Sequence, residues 1–111
     1  MITIEELRNN GADVETGLSR CVGKEDLYLK LVNMGLGDAK FEELGTAIQS
    51  KDLTHAFELC HALKGVIGNL AITPLYEALS KMTEKLRNEE AADYSAMYSD
   101  ILAIRTKISG C

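Results

Sequence analysis

The sequence predicts an all-α protein, an antiparallel up-down-up-down four-helix bundle with short N-terminal helices. Three observations support this fold class. The 111 residues include one proline, and no stretch alternates apolar and polar residues in the manner of a strand. Apolar residues recur at spacings of three and four in three separate stretches, which is the pattern of helices that bury one face. The connections between these stretches are short, as in bundles whose neighbouring helices reverse direction.

The N-terminal part of the chain, about residues 3–22, is expected to form a helical lead-in ahead of the bundle. The order Thr3-Ile4-Glu5-Glu6 is that of a capping box, in which a threonine and a glutamate satisfy each other's backbone donors. Asp13 is placed to cap a second short helix. The bundle then occupies about residues 24–109, and we expect residues 1–111 to form a single domain.

The first long helix of the bundle is predicted from about Lys24 to Ser50. Gly35 and Gly37 weaken its middle, because glycine is unfavourable in a helix interior, so a kink or a break there is an open alternative. Its inner side is expected to carry Leu27, Leu31, Met34, Phe41, Leu44 and Ile48.

Each of the other three long helices has an apolar stripe of its own. The stripes are Leu53, Ala56, Cys60, Leu63, Ile67 and Leu70 in residues 53–70, Leu75, Leu79, Met82 and Leu86 in residues 74–88, and Tyr94, Met97, Ile101, Ile104 and Ile108 in residues 91–109. Stripes with this heptad-like spacing favour helices that pack nearly antiparallel in a bundle.

The ends of these three helices are marked by capping residues. Asp52 is expected to cap the first of them, and Thr73 is expected to cap the second, with Pro74 at the first helical position. Asn88 is expected to cap the last helix, and Gly110 is suited to its C-terminal stop.

The charge and composition of the chain exclude several classes of function. The formal net charge is −5, from 12 Lys and Arg against 17 Asp and Glu, which argues against a nucleic-acid partner. No uncharged stretch is long enough to span a membrane, and no secretory signal opens the chain. Cys21, Cys60 and Cys111 have no CxxC spacing and are interpreted as reduced thiols of a cytoplasmic protein. We expect a monomer, because one bundle uses the apolar positions, and the absence of linkers favours a free-standing protein.

A histidine stands on the outer side of the helix predicted from residue 53. At about 100° per residue, His61 lies about 130° from the centre of the apolar stripe. Gly65 and Gly68 fall within about 40° of His61, one and two turns further on, and Lys64 lies about 60° to the other side. Each glycine costs roughly 1 kcal/mol relative to alanine in a helix interior. The pattern therefore predicts an exposed imidazole with a cation beside it and with no side chains projecting from Gly65 and Gly68 to block access.

This arrangement favours a nucleophile that accepts a phosphoryl group. With an ordinary pKa of about 6.5, an exposed histidine is mostly neutral in the cell and nucleophilic at one nitrogen. Glu58, one turn before His61, is placed to accept a hydrogen bond from the other nitrogen. Lys64 is placed to stabilise negative charge delivered to the ring. The alternative from the residues alone is a plain surface histidine, with Gly65 and Gly68 allowing close packing of helices.

The segment His61-Ala62-Leu63-Lys64-Gly65, with Gly68 after it, resembles the signature of histidine-containing phosphotransfer (Hpt) domains of two-component phosphorelays. The resemblance extends over nearly the whole chain, although the family usually has glycine where this chain has Ala71. It implies that His61 is the phosphorylated residue, assisted by Lys64, with an open surface at Gly65 and Gly68. It also implies a carrier without an ATP site or cofactor, with Mg²⁺ on its partners. Those partners are response-regulator receiver domains, and a hybrid sensor kinase is a further candidate.

Two interpretations from other functional classes compete with this one. A di-metal carboxylate site needs two Glu-x-x-His pairs that point inward, and Glu58 and His61 form one pair that points outward, so no metal site is expected. The alternative that stays open is a helical docking module that binds receiver domains without phosphotransfer.

Overall fold

The computed structural model describes residues 2–109, and that part of the chain contains seven α-helices and no strand. The predicted all-α class is therefore confirmed. The helices are α1 (Ile4–Asn9), α2 (Val14–Arg20), α3 (Glu25–Leu36), α4 (Lys40–Gln49), α5 (Leu53–Asn69), α6 (Thr73–Arg87) and α7 (Tyr94–Ser109). No helix among these residues is long and apolar enough to cross a membrane. The predicted stop at Gly110 lies outside the described residues, as does Cys111.

Four of the helices close a ring of contacts around the core. α5 packs against α4 and α6, and α7 packs against α6 and α4. α3 lies outside this ring and packs against α5 and α7, while α2 packs against α1 and α3. Buried apolar side chains from all seven helices belong to one cluster. The alternating direction of the four ring helices stays a prediction, which their short connections favour.

The predicted helix from Lys24 to Ser50 is two helices, because the helix is interrupted between Leu36 and Lys40. The break was the open alternative, and it changes which residues are buried. Phe41, Leu44 and Ile48 of α4 are buried as predicted, but Leu27, Leu31 and Met34 of α3 are exposed, Met34 by 62%. Tyr28, Val32 and Leu36 are buried in their place. Since α3 is a separate helix, the stripe of α4 does not continue in phase along it.

The apolar stripes of the last three helices match the buried residues closely. All four predicted residues of α6 are buried, and so are those of the 53–70 stripe except Leu53, which is 40% exposed. In α7, Tyr94, Ile101 and Ile108 are buried, while Met97 and Ile104 pack partly buried against the core.

Three of the predicted caps are present and two are not. The side chains of Thr3, Asp13 and Asp52 each accept a hydrogen bond from a backbone N–H in the first turn that follows. The prediction for Thr73 was wrong, because α6 begins one residue earlier, with Ile72 at the capping position. The prediction for Asn88 was also wrong. Asn88 ends α6, and the carboxylate of Asp93 accepts from Ala96 N at 3.0 Å at the start of α7.

The C-terminal end of α5 is held by residues from the N-terminal third of the chain. Helix ends leave their last carbonyls without partners inside the helix. Here Arg20 Nη1 donates to Gly68 O at 2.8 Å and to Asn69 O at 3.0 Å. The hydroxyl of Tyr28 donates to Leu70 O at 2.7 Å, and Asp13 N donates to Ala71 O at 2.8 Å. Four consecutive carbonyls, 68–71, thus bind three residues from α2, its cap and α3.

Candidate functional site

His61 lies in the middle of α5, and its side chain is exposed. The helix buries Ala56, Cys60, Leu63 and Ile67 against the core, which leaves the histidine on the outer side. The location therefore follows from the stripe: the residues that fix the rotation of α5 also set the direction of the imidazole.

A buried hydrogen-bond network lies directly behind the histidine. The thiol of Cys60 donates to Leu79 O at 3.3 Å, and the hydroxyl of Thr83 lies 3.2 Å from the Cys60 sulfur and 2.7 Å from Leu79 O. Burial raises the pKa of the Cys60 thiol to about 11. The thiol therefore stays protonated at neutral pH, and it serves to join α5 to α6 as part of the core.

The ring of His61 has an aromatic neighbour on its own helix. Phe57, one turn earlier, stacks on it with ring centroids 5.9 Å apart and 13° between the planes. On Phe57 in turn lies the guanidinium of Arg87, 5.7 Å from the ring centroid. The expected hydrogen bond from the His61 ring to the Glu58 carboxylate is absent among the described residues. Glu58 is exposed beside the histidine, and the flat contact of Phe57 orients the ring instead.

A cavity of about 490 Å³ opens next to the histidine. His61, Lys64 and Gly65 line one side, and the remaining lining residues are Arg20, Gly68, Asn69, Ala71, Thr73 and Tyr76. Two of these side chains, Lys64 and Arg20, are cations, and none of the lining residues is acidic. In a chain with a net charge of −5, such a cavity is suited to an anionic group.

The two glycines of the predicted open surface have different surroundings. A Cβ added at Gly65 would meet no atom within 4 Å, so the surface beside His61 is open there. A Cβ added at Gly68 would stand 2.9 Å from two ring carbons of Tyr76. The sequence predicted an open surface at Gly68, and that prediction was wrong. The ring of Tyr76 from α6 lies against the Gly68 backbone.

Lys64 is partly buried and forms no ion pair within residues 2–109. Its charge is thus available to a group in the cavity. His55, six residues before His61, is exposed at the start of α5, and its backbone N–H donates to Asp52 Oδ1. The described residues contain no cluster of three or more His, Cys, Asp or Glu side chains that could hold a metal ion.

Comparison with known families shows the family of the chain. A family model of the Hpt domain matches residues 37–109, about two thirds of the chain. The chain belongs to the Hpt domain family. Hpt domains are phosphotransfer carriers in phosphorelays and interact with receiver domains of response regulators. No curated protein and no solved structure matches the chain. The match includes α4 to α7, so α1 to α3 of this Hpt domain lie outside it.

Sequence reasoning missed three residues around His61. Phe57 is four residues before His61, and that spacing places two side chains side by side on a helix, so the contact could have been found. Tyr76 covers Gly68 across the turn that follows α5. Arg20 lies 48 residues before Gly68 in sequence, and no local pattern indicates that the two are in contact.

A second, apolar depression adjoins the His61 cavity of this Hpt domain. It is lined by Leu31, Met34, Gly35, Asp38, Val66, Asn69 and Leu70, and it shares Asn69 with the first cavity. Leu31 and Met34, which the sequence placed in the core, thus belong to the surface next to the histidine.

Proposed function

We propose that this Hpt domain is a phosphoryl carrier that accepts the group on His61 from the phosphoaspartate of one receiver domain and passes it to an aspartate of another. The observation that carries the proposal is the exposed imidazole of His61 in a cavity lined by cations and by no carboxylate. Open space at Gly65 supports access by a second protein. Family membership supports the reaction class.

The transfer follows from the chemistry of a neutral imidazole. The lone pair of the ring nitrogen without a proton attacks phosphorus, and an N–P bond forms. The bond from phosphorus to the aspartate oxygen breaks, and the electron pair leaves with the receiver's carboxylate. The ring then carries a positive charge shared with the protonated nitrogen, and Lys64 offsets the negative charge of the phosphoryl oxygens. The second transfer reverses these steps toward another aspartate, and Mg²⁺ is expected on the receivers.

The apolar depression beside the cavity supports docking of a receiver domain. Leu31 and Met34 are exposed apolar side chains on α3, and Val66 is one residue from open Gly65. A partner that brings its aspartate to His61 would cover them, and burial of apolar area favours association. We expect Met34→Asp to weaken receiver binding at least about tenfold. Ala103→Asp, at an exposed position of α7 outside both cavities, is the matched control.

Several expectations about the whole molecule are retained as proposals. We propose that residues 1–111 form one domain, that the ring helices alternate in direction, and that the protein is a cytoplasmic monomer. Glu58 stays a candidate for the docking surface because it is exposed beside His61. A hybrid sensor kinase remains a candidate source of the phosphoryl group through its receiver domain.

The test is transfer from a receiver domain that carries a radiolabelled phosphoryl group. We expect an acid-labile, alkali-stable phosphate on this chain, lost in His61→Ala and kept in His55→Ala, the matched change on the same helix. Binding of the receiver should survive in both variants. If His61→Ala keeps full signalling activity and the parent protein takes no label, the chain is instead a docking module without phosphotransfer.

A further inference from the structure

One lining residue of the His61 cavity comes from outside the matched part of the chain. Arg20 is the last residue of α2, and the family match begins at residue 37. Its Nη1 donates to Gly68 O and Asn69 O, and these two bonds place the guanidinium at the C-terminal end of α5, beside the cavity. Arg20 is exposed, so its free edge is accessible from solvent.

The bonding of Arg20 leaves most of the guanidinium unused. An arginine side chain has five N–H groups in a planar fork. Within residues 2–109 only Nη1 has hydrogen-bond partners, which leaves the Nη2 and Nε groups available. A planar fork of this kind matches the oxygens of a phosphoryl group, and arginine binds them with two parallel bonds.

Arg20 also places positive charge at the C-terminal end of α5. The C-terminal end of a helix carries partial negative charge, which disfavours an anion nearby. This effect falls off within about one turn, so it acts at the Gly68–Asn69 end of the cavity, about 12 Å along the axis beyond His61. α5 has no basic residue in its last turn. Arg20 supplies from α2 the positive charge that α5 lacks, on the side that faces the cavity.

We propose that Arg20 is a second phosphoryl-binding residue, which contacts the phosphoryl oxygens during transfer to and from His61; this inference rests on the proposed function. Lys64 approaches the group from the same helix as the histidine, and Arg20 from the end of the cavity. No atom is gained or lost at Arg20. The nitrogen-to-phosphorus bond breaks at His61, the bond to the receiver's aspartate oxygen forms, and the guanidinium neutralises the oxygens throughout.

The experiment measures transfer out of the phosphorylated protein. The parent chain is labelled from a phosphorylated receiver, purified, and mixed with a saturating concentration of an unlabelled receiver in a single turnover. The rate constant counts only molecules that carry the label, so a misfolded fraction does not enter it, and saturation removes an effect on docking. If the parent chain takes no label, the proposed function fails and the role of Arg20 is refuted with it.

Four variants separate phosphoryl binding from a structural bond to α5. We expect Arg20→Ala to slow transfer about tenfold or more, the loss of one charge-assisted contact. Arg20→Gln keeps amide donors for the carbonyls without the charge and should be as slow, whereas Arg20→Lys should recover part of the rate. Arg8→Ala, which removes an exposed arginine of α1 paired with Glu15, should match the parent. A parental rate in Arg20→Ala or in Arg20→Gln would overturn the inference.

Discussion

The ring of Phe57 lies nearly parallel to the ring of His61, with 5.9 Å between their centroids. Phe57 is only partly buried, so the contact is not a product of core packing alone. The stack limits rotation of the imidazole about its side-chain bonds. A nucleophile held in one orientation loses less entropy when it attacks phosphorus.

Replacement of Phe57 should therefore slow phosphotransfer without preventing it. An aromatic pair contributes about 0.5–1.5 kcal/mol, so we expect Phe57→Ala to lower the single-turnover rate by about 2–10-fold at saturating receiver. Phe57→Leu keeps apolar volume but not the flat face, and it should show a similar loss. A parental rate in Phe57→Leu would mean that bulk, and not ring orientation, is what Phe57 supplies.

Lys64 should contribute charge at the phosphoryl group. We expect Lys64→Ala to slow transfer at least about tenfold, because it removes a charge-assisted contact to the phosphoryl oxygens. Lys64→Arg should retain a larger share of the rate. Lys107→Ala, at an exposed position of α7, is the control and should transfer as the parent does. Equal rates in Lys64→Ala and Lys107→Ala would reject the role.

Gly65 lowers the stability of α5 but leaves the surface beside His61 open. Since a Cβ there meets no atom within 4 Å, Gly65→Ala should raise the free energy of unfolding by about 0.5–1 kcal/mol. Gly65→Gln should fold equally well and slow transfer, because its side chain occupies the surface that a receiver approaches. Urea unfolding measures the first effect and single-turnover transfer the second. A destabilised Gly65→Ala would show that the position is not open.

Gly68→Ala is the matched change at a covered glycine. Its Cβ would stand 2.9 Å from the Tyr76 ring, so that ring must move away from α5. We expect the gain in helix propensity to be cancelled, with a stability at or below that of the parent. Gly68→Ala combined with Tyr76→Ala should recover the gain, which a double-mutant cycle measures. Additive effects of the two changes would contradict the contact.

Tyr28 should make stability sensitive to alkaline pH. Its buried hydroxyl donates to Leu70 O, so Tyr28→Phe should lower the free energy of unfolding by about 1–3 kcal/mol near neutral pH. Burial raises the pKa of Tyr28 from 10.0 to about 12. The unfolded state therefore loses its proton first as pH rises, and the contribution of Tyr28 is present below pH 10 and lost toward pH 12.

The measurement is urea unfolding of the parent and of Tyr28→Phe across that range. Other titrating groups, Cys60 among them, are common to both proteins and cancel in the difference. The difference in unfolding free energy between the two should shrink as pH rises from 10 to 12. A constant difference would show that the hydroxyl does not titrate in this window.

The sequence correctly predicted those parts of the fold that depend only on the residue pattern within one helix. The stripe of α6 repeats regularly and has polar residues on the other faces, so Leu75, Leu79 and Met82 could be assigned to the core. In α3, apolar residues occupy several faces, and periodicity does not choose among them. The bond from Tyr28 to Leu70, 42 residues away, belongs to the arrangement that buries one face and exposes Met34.

The same division holds at the site. The exposure of His61 and the nearness of Lys64 and Gly65 follow from helical spacing alone. Arg20 and Tyr76 enter the cavity from other helices, and their contacts with α5 depend on how the helices pack. The prediction that the His61 ring donates to Glu58 failed for a different reason: the ring stacks on Phe57, the residue before Glu58.

The hydrogen bonds to the carbonyls at the end of α5 bear on where a truncated fragment of this protein should begin. A fragment trimmed to residues 37–109 would keep His61 and Lys64 but would lose Asp13, Arg20 and Tyr28, the three donors to those carbonyls. Water would replace the donors, and the final turn before Thr73 would fray toward the reactive ring. The family match therefore begins after three residues whose hydrogen bonds hold the end of α5.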